Sequence, residues 1–304
     1  MRQRKLKAEG RREPAETRRR KPSLWALGGL TPLELARRVL LRFFKGEIFT
    51  QAAALSFYFI FALFPMIVAL LAVVGLFAQN NSFRTGLIVQ FGRVMPPSAL
   101  ELVKTTVREI SAESGGWKVV LGSVVALWSA SGGMSALMDA LDYSYRVQES
   151  RPYLKRKAIA LGLTVTIVVL SSVDLGIVLY GGTFAEFVGQ RTGLSHAMVT
   201  LWQLADWPIA LILVLFSLAL IYCVGPDVRP RLRLITPGSV VGGLVWIVAS
   251  LLLRVYLHFF NTYTRSYGSL SAVMVLLFWL YITGLAILLG GEINAEIEGA
   301  QAAV

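Results

Sequence analysis

Asp174 is an acid within an otherwise uncharged apolar run from Ala158 to Phe184, close to Ser171 and Ser172. A carboxylate in lipid costs roughly 2.5 to 3.5 kcal/mol on insertion scales, so it is expected to face other helices or a wet cavity. Its stem is short, and it stands 16 residues past Ala158, too deep to reach the membrane surface. Two uses fit such a group. One is a proton or cation site, or a contact for a basic substrate. The other is a structural hydrogen bond or ion pair between helices. Arg254 is the candidate partner the sequence offers, although it stands toward the end of its own apolar run, where a long side chain can reach water.

Four further acids are expected at one depth. Asp139 and Asp142 close one apolar run, and their spacing puts them on one helix face; Glu292 and Glu296 close another and also share a face. Such a rim suits a cation gate or a substrate vestibule. It equally suits ion pairing with the basic stretches 146–157 and 229–233. Catalytic arrangements are thin: no Walker loop, H-E-x-x-H, G-x-S-x-G or paired metal-ligand motif occurs. His196 and His258 lie 62 residues apart, and the single Cys223 cannot form an intrachain disulfide. No catalytic residue, cofactor or metal is expected.

The elements that hold these residues are membrane spans. Of 304 residues, 55% are hydrophobic and 16% charged, with a mean hydropathy of +0.62, too apolar for ordinary soluble domains. A bilayer core needs roughly 20 apolar residues in a helix that satisfies its own backbone groups. Six stretches qualify: 52–78, 119–138, 158–184, 198–224, 235–260 and 270–291. The expected fold is all-α, a polytopic bundle of six transmembrane helices preceded by an interfacial amphipathic helix. Pro65 and Pro208 fall inside spans as helix breaks. Gly132 and Gly133, with several serines, make the second span a close-packing helix that should sit centrally.

Charge distribution orients the bundle. Residues 1–21 hold ten basic and three acidic side chains, +7 of the net +12, and the loops 139–157 and 225–234 add five and three basic residues. The alternate connections are poorer in Lys and Arg, so both termini are expected in the cytoplasm and the protein in a bacterial inner membrane. The first apolar run begins too late and is too long for a signal peptide. Residues 1–23 are expected to be a disordered tail, either a topology anchor or an arm for anionic lipid or RNA. Residues 24–50 are expected to form the interfacial helix. Thr31 is its N-cap, Pro32 its first residue and Glu34 its capping-box partner, with Leu33, Ala36, Leu40 and Phe44 on one face. The membrane domain spans 51–298, and 299–304 is a short cytoplasmic end. In the first outer loop, Ser98 and Glu101 read as a capping box opening a helix to about Ser111.

Three blocks carry a resemblance. They are AAALSFYFIFALFPMIVALLAVVGLF (Ala52 to Phe77), SGGMSALMDALDYSYRVQESRPYLKRK (Ser131 to Lys157) and YGSLSAVMVLLFWLYITGLAILLGGEINAEIE (Tyr267 to Glu298). In order and spacing they resemble the YihY/BrkB family of bacterial inner-membrane proteins, once labelled ribonuclease BN. The resemblance implies a six-helix membrane protein linked to the cell envelope and, in pathogens, to serum resistance; it implies no reaction. The leading expectation is a transporter or lipid-handling protein for a small or amphiphilic substrate. The alternative is a non-transporting scaffold or envelope-integrity factor. An enzyme is not expected. A nuclease would need a soluble site with metal-binding carboxylates or an acid/base pair, so no nucleic-acid substrate is expected either. The expected partners are the bilayer itself and anionic lipid at the basic tail.

Overall fold

The computed structural model describes residues 24–77, 116–192, 196–228, 235–259 and 269–302, and among them there is no β-strand. The basic tail 1–23, the outer-loop helix expected over 98–111 and the loop arginines Arg229, Arg231 and Arg233 lie outside the described residues. A short 3₁₀ segment, Leu24–Gly29, is followed by α1 (Pro32–Lys45), α2 (Ile48–Phe77), α3 (Gly116–Tyr145), α4 (Tyr153–Thr192), α5 (His196–Val224), α6 (Pro237–Phe259) and α7 (Ser269–Ala302). In chain order, α2 to α7 fall on the six apolar runs.

Four helices carry segments long and apolar enough to cross a bilayer: Val124–Tyr145, Tyr153–Asp174, Pro237–Leu257 and Val273–Ala302. A fifth span results if α1 and α2, which meet at a 68° bend, count as one broken element. In α5 the apolar stretch is the shorter Pro208–Val224. The helix assignment runs through Pro65 in α2 and through Pro208 in α5. Inside a bundle, local adjustments and neighbouring helices tolerate the missing donor.

The small residues do not make α3 the hub, as expected; that place belongs to α7. It packs on the 3₁₀ segment and on α1, α2, α3, α5 and α6. The physical reason is backbone approach. A Cβ on Gly290 would collide with the Gly238 carbonyl of α6 and the Tyr222 ring of α5, and one on Gly291 would press on Leu141 of α3. A Cβ on Gly284 would make only ordinary van der Waals contact with Ala52 of α2. Around this hub the buried core gathers Ile48, Leu55, Leu137, Leu141, Ile221 and Leu288.

At the start of α1 the Thr31 hydroxyl accepts the Glu34 N–H at 3.2 Å, but the Glu34 carboxylate does not return the contact. It takes an ion pair from Arg38 at 2.6 Å instead, so half of the expected capping box forms. Leu35 and Val39 pack on Ile293 and Ile297 of α7, while Leu33, Leu40 and Phe44 face outward, 81%, 52% and 71% exposed. The chain enters this seam through Gly28. Its φ is +64°, and a side chain there would sit 2.7 Å from the Ile297 carbonyl, so glycine meets both demands at once.

Candidate functional site

Both runs of acids lie further inside their helices than the apolar stretches suggest, because α3 continues to Tyr145 and α7 to Ala302. The end of α3 is set by Arg146, whose left-handed backbone (φ 57°) lets Val147 N–H reach the Asp142 carbonyl at 3.0 Å. This is a C-cap geometry that usually falls to glycine. Here the side chain has a use. Arg146 pairs with Glu296 and stands 3.5 Å from Glu292 of α7. Arg42 of α1 reaches the same two acids, at 2.6 Å from Glu296 and 3.8 Å from Glu292. Both carboxylates are buried and both arginines half-exposed. Thus α1, α3 and α7 are tied at one end by a two-by-two ionic lock.

The remaining acids bond elsewhere. Asp142 accepts the Asp227 N–H at 2.7 Å. Asp139 pairs with Arg156 of α4. The four expected rim acids therefore have different partners, while Asp142 and Glu292 still line one cleft of about 510 Å³ with Arg42 and Arg146. Around Asp142 the two basic-side loops are buckled together. Arg151 grips Glu149 at 2.7 Å and donates to the Gly225 carbonyl beyond the end of α5 at 2.9 Å. Asp227 takes the Ser150 N–H at 2.8 Å and the Ser150 hydroxyl. Hydrogen bonds from Arg151 hold the Glu149 carboxyl below its usual range, and those from Ser150 do the same for Asp227. Glu149 in turn raises the Arg151 guanidinium.

Sequence reasoning passed over a second polar knot. Thr236 and Ser239 cap α6 reciprocally, each side-chain oxygen accepting the other's N–H at 3.0 Å. The buried Asn294 of α7 completes it, accepting the Gly238 N–H and donating to the Thr236 hydroxyl, both at 3.0 Å. The signal was present: Thr236-Pro237 repeats the Thr31-Pro32 pattern that opens α1. Tyr143 was likewise undervalued; its hydroxyl accepts the Glu47 N–H at 3.0 Å and joins α3 to the start of α2.

Besides the cleft at the lock, two further spaces are found among the described residues. A cavity of about 400 Å³ lies within the bundle, and all six helices α2 to α7 contribute to its wall. Phe59, Met134, Ile167, Leu218, Trp246 and Ile287 typify the lining. Its polar groups are turned on one another: Trp246 Nε1 donates to the Thr283 hydroxyl, which donates to the Trp279 carbonyl, and Thr164 donates to the Ala160 carbonyl. Apart from Ser171, the wall that remains is apolar. The second space, about 630 Å³, is a cleft on the other side of the α2–α3 seam, lined by Gln51, Tyr58, Ser135, Asp139, Arg156 and Lys157 among others. Gly133 makes that seam: a Cβ there would lie 2.9 Å from that of Ala62. Gly132, expected to pack in the same way, instead lines the cleft with nothing within 4 Å of its Cβ position.

Asp174 and Arg254 are not joined; among the described residues no ion pair links them, and Arg254 is exposed on α6. Asp174 is half-buried on α4, one turn beyond Ser171 of the cavity wall, and its Oδ1 is shielded from solvent without a hydrogen-bond donor among the described residues. Pro65 is half-buried and Pro208 exposed. No cluster of three or more His, Cys, Asp or Glu suited to a metal occurs among the described residues.

Comparison with known proteins finds that residues 39–303 match the family model described as virulence factor BrkB. The chain is 29% identical over 249 residues to a protein of Bacillus subtilis named ribonuclease-like protein YfkH, covering 82% of this chain and 90% of that one. It is 27% identical over 256 residues to a UPF0761 membrane protein of Xanthomonas oryzae, covering 84% of this chain, and 26% identical over 257 residues to one of Xanthomonas campestris. It spans 59% of the length of each of these Xanthomonas proteins. No solved structure matches.

Proposed function

The chain belongs to the virulence factor BrkB family of membrane proteins, and from that premise we propose that it binds and moves an amphiphilic component of the cell envelope. The observation that carries this reading is the cavity walled by α2 to α7. Its volume, about 400 Å³, suits an acyl chain or another apolar moiety, and its internally satisfied hydroxyls offer little to a bare ion. Asp174, one turn past the cavity wall, is the polar contact or coupling group in this scheme. The bundle has six spans, with α5 completing its crossing through residues before Pro208. The ionic lock and the basic loops face the cytoplasm of a bacterial inner membrane, as the positive-inside rule requires. The outward Leu33, Leu40 and Phe44 of α1 then lie in the cytoplasmic interface.

The name of the Bacillus relative speaks of a ribonuclease. That activity is not carried over, because the acids of the basic end serve as ion-pair and hydrogen-bond partners. A second reading, a non-transporting envelope scaffold, draws support from the lock that fixes α1, α3 and α7 together. The two readings part on one experiment: lipid mass spectrometry of the protein in native nanodiscs, followed by flux of the retained species in vesicles. Met134→Trp, which fills the cavity, and Asp174→Asn should each lose the retained species and its flux while folding is kept. Bulk lipid alone in wild type and both variants would leave the scaffold standing and overturn the carrier.

A further inference from the structure

The cleft outside the α2–α3 seam differs from the central cavity in being charged. It contains Asp139, Arg156 and Lys157, and Asp139 is already spent on Arg156. Lys157 has no carboxylate partner among the described residues; its ammonium rests 4.9 Å over the Trp128 ring. Among its lining residues the cleft therefore carries one surplus positive charge, with Arg156 shared between Asp139 and Glu149. It also lies at the first turn of α4, which contains no acid to offset the partial positive charge of its free N–H groups. Tyr58, Phe61 and Trp128 flank it, each about half-exposed or more, the kind of aromatic surface that settles at a membrane interface.

We propose that this cleft is a binding site for the phosphodiester headgroup of an anionic phospholipid of the cytoplasmic leaflet, with Lys157 as counter-charge and the acyl chains along the aromatic flank. One positive charge, donors on Gln51 and Tyr58, and a side open toward lipid match a monoanionic headgroup on two chains. A soluble anion would satisfy the charge but leave the aromatic flank unused. The site shares the membrane orientation with the preceding reading and does not depend on transport.

Native mass spectrometry of the full chain, titrated with phosphatidylglycerol or with phosphatidylcholine of the same chains, tests it. Phosphatidylglycerol should bind preferentially, and Lys157→Gln should weaken it about fivefold, the factor expected for one cation near an anionic surface. Lys157→Arg should keep the preference. Gly132→Leu, placed where a side chain meets open space, should block binding without altering charge. Arg254→Gln, an exposed cation elsewhere on the bundle, should change nothing. Equal binding of the two lipids, an unaffected Lys157→Gln, or an equal loss in Arg254→Gln would overturn the proposal. So would displacement of the lipid by glycerol phosphate at similar concentration, which would mark a site for a soluble phosphate ester.

Discussion

The basic end of the molecule and its mid-membrane interior solve one packing problem by opposite means. At the basic end, helices are held by directional contacts: Arg42 and Arg146 on Glu292 and Glu296, Asn294 on the cap of α6, Asp142 on the loop of Asp227. In the interior the same helices meet through absent side chains, with Gly133 against Ala62 and Gly242 against Ala286. Directional bonds fix register, because each is lost when one helix slides or turns. Small-residue contacts fix distance and leave sliding cheaper. The difference assigns the anchored part to the basic end and the adjustable part to the region around the cavity.

The comparison breaks most readily at α7. Gly290→Val places branched carbon against the Tyr222 ring and the Gly238 backbone, neither of which can retreat. A loss above about 4 kcal/mol is expected, seen as failure to recover monodisperse protein in detergent. A well-folded variant would show that the α5–α6–α7 contact is looser than its geometry implies. Glu296→Gln is next. The acid is buried, but the arginines are half-exposed and can turn to water, so a cost of about 2 kcal/mol is expected, below that of a fully buried pair. A double-mutant cycle with Arg146→Gln should be clearly non-additive in thermal unfolding. Simple addition would mean that the lock is surface decoration.

The smallest expected effect is from pH. Hydrogen bonds depress the pKa values of Glu149 and Asp227 in the folded state, so the unfolded chain binds protons more readily there. The stability they contribute is present above their unfolded values, near 4.5 and 3.8, and is lost as pH falls through the lower folded ones. Unfolding temperature should show no pH dependence from this buckle between about pH 7 and 6, where its contribution is complete, and a decline below about pH 4. Glu149→Gln with Asp227→Asn should remove that part of the decline. An unchanged acid limb would place the sensitivity in another part of the chain.

Much of the scaffold was legible because lipid imposes a simple rule. Long uncharged runs must be helices, and the six runs read from the sequence fall on α2 to α7 in order. Thr31-Pro32 announced α1 for a local reason, since a cap needs only neighbouring residues. The polar site was less legible. That Asp139, Asp142, Glu292 and Glu296 cluster near helix ends was visible; which partner each takes was not, because Arg42, Arg146, Arg156 and Asp227 come from separate segments. Gly132 and Gly133 look interchangeable in one dimension, yet one residue of helix is a 100° turn, enough to send one into a seam and the other into a cleft.

The sequence alone determined that this chain is a helical membrane protein and that an acid, Asp174, falls within a long apolar run. These follow from transfer energies and helical geometry, which each segment carries within itself. Only the tertiary structure decided that α7 is the hub, that Asp174 and Arg254 do not meet, and that Lys157, beside an open cleft, has no carboxylate partner among the described residues. Each depends on which helix faces are brought together, a choice made by shape and directional bonding between segments far apart in the chain.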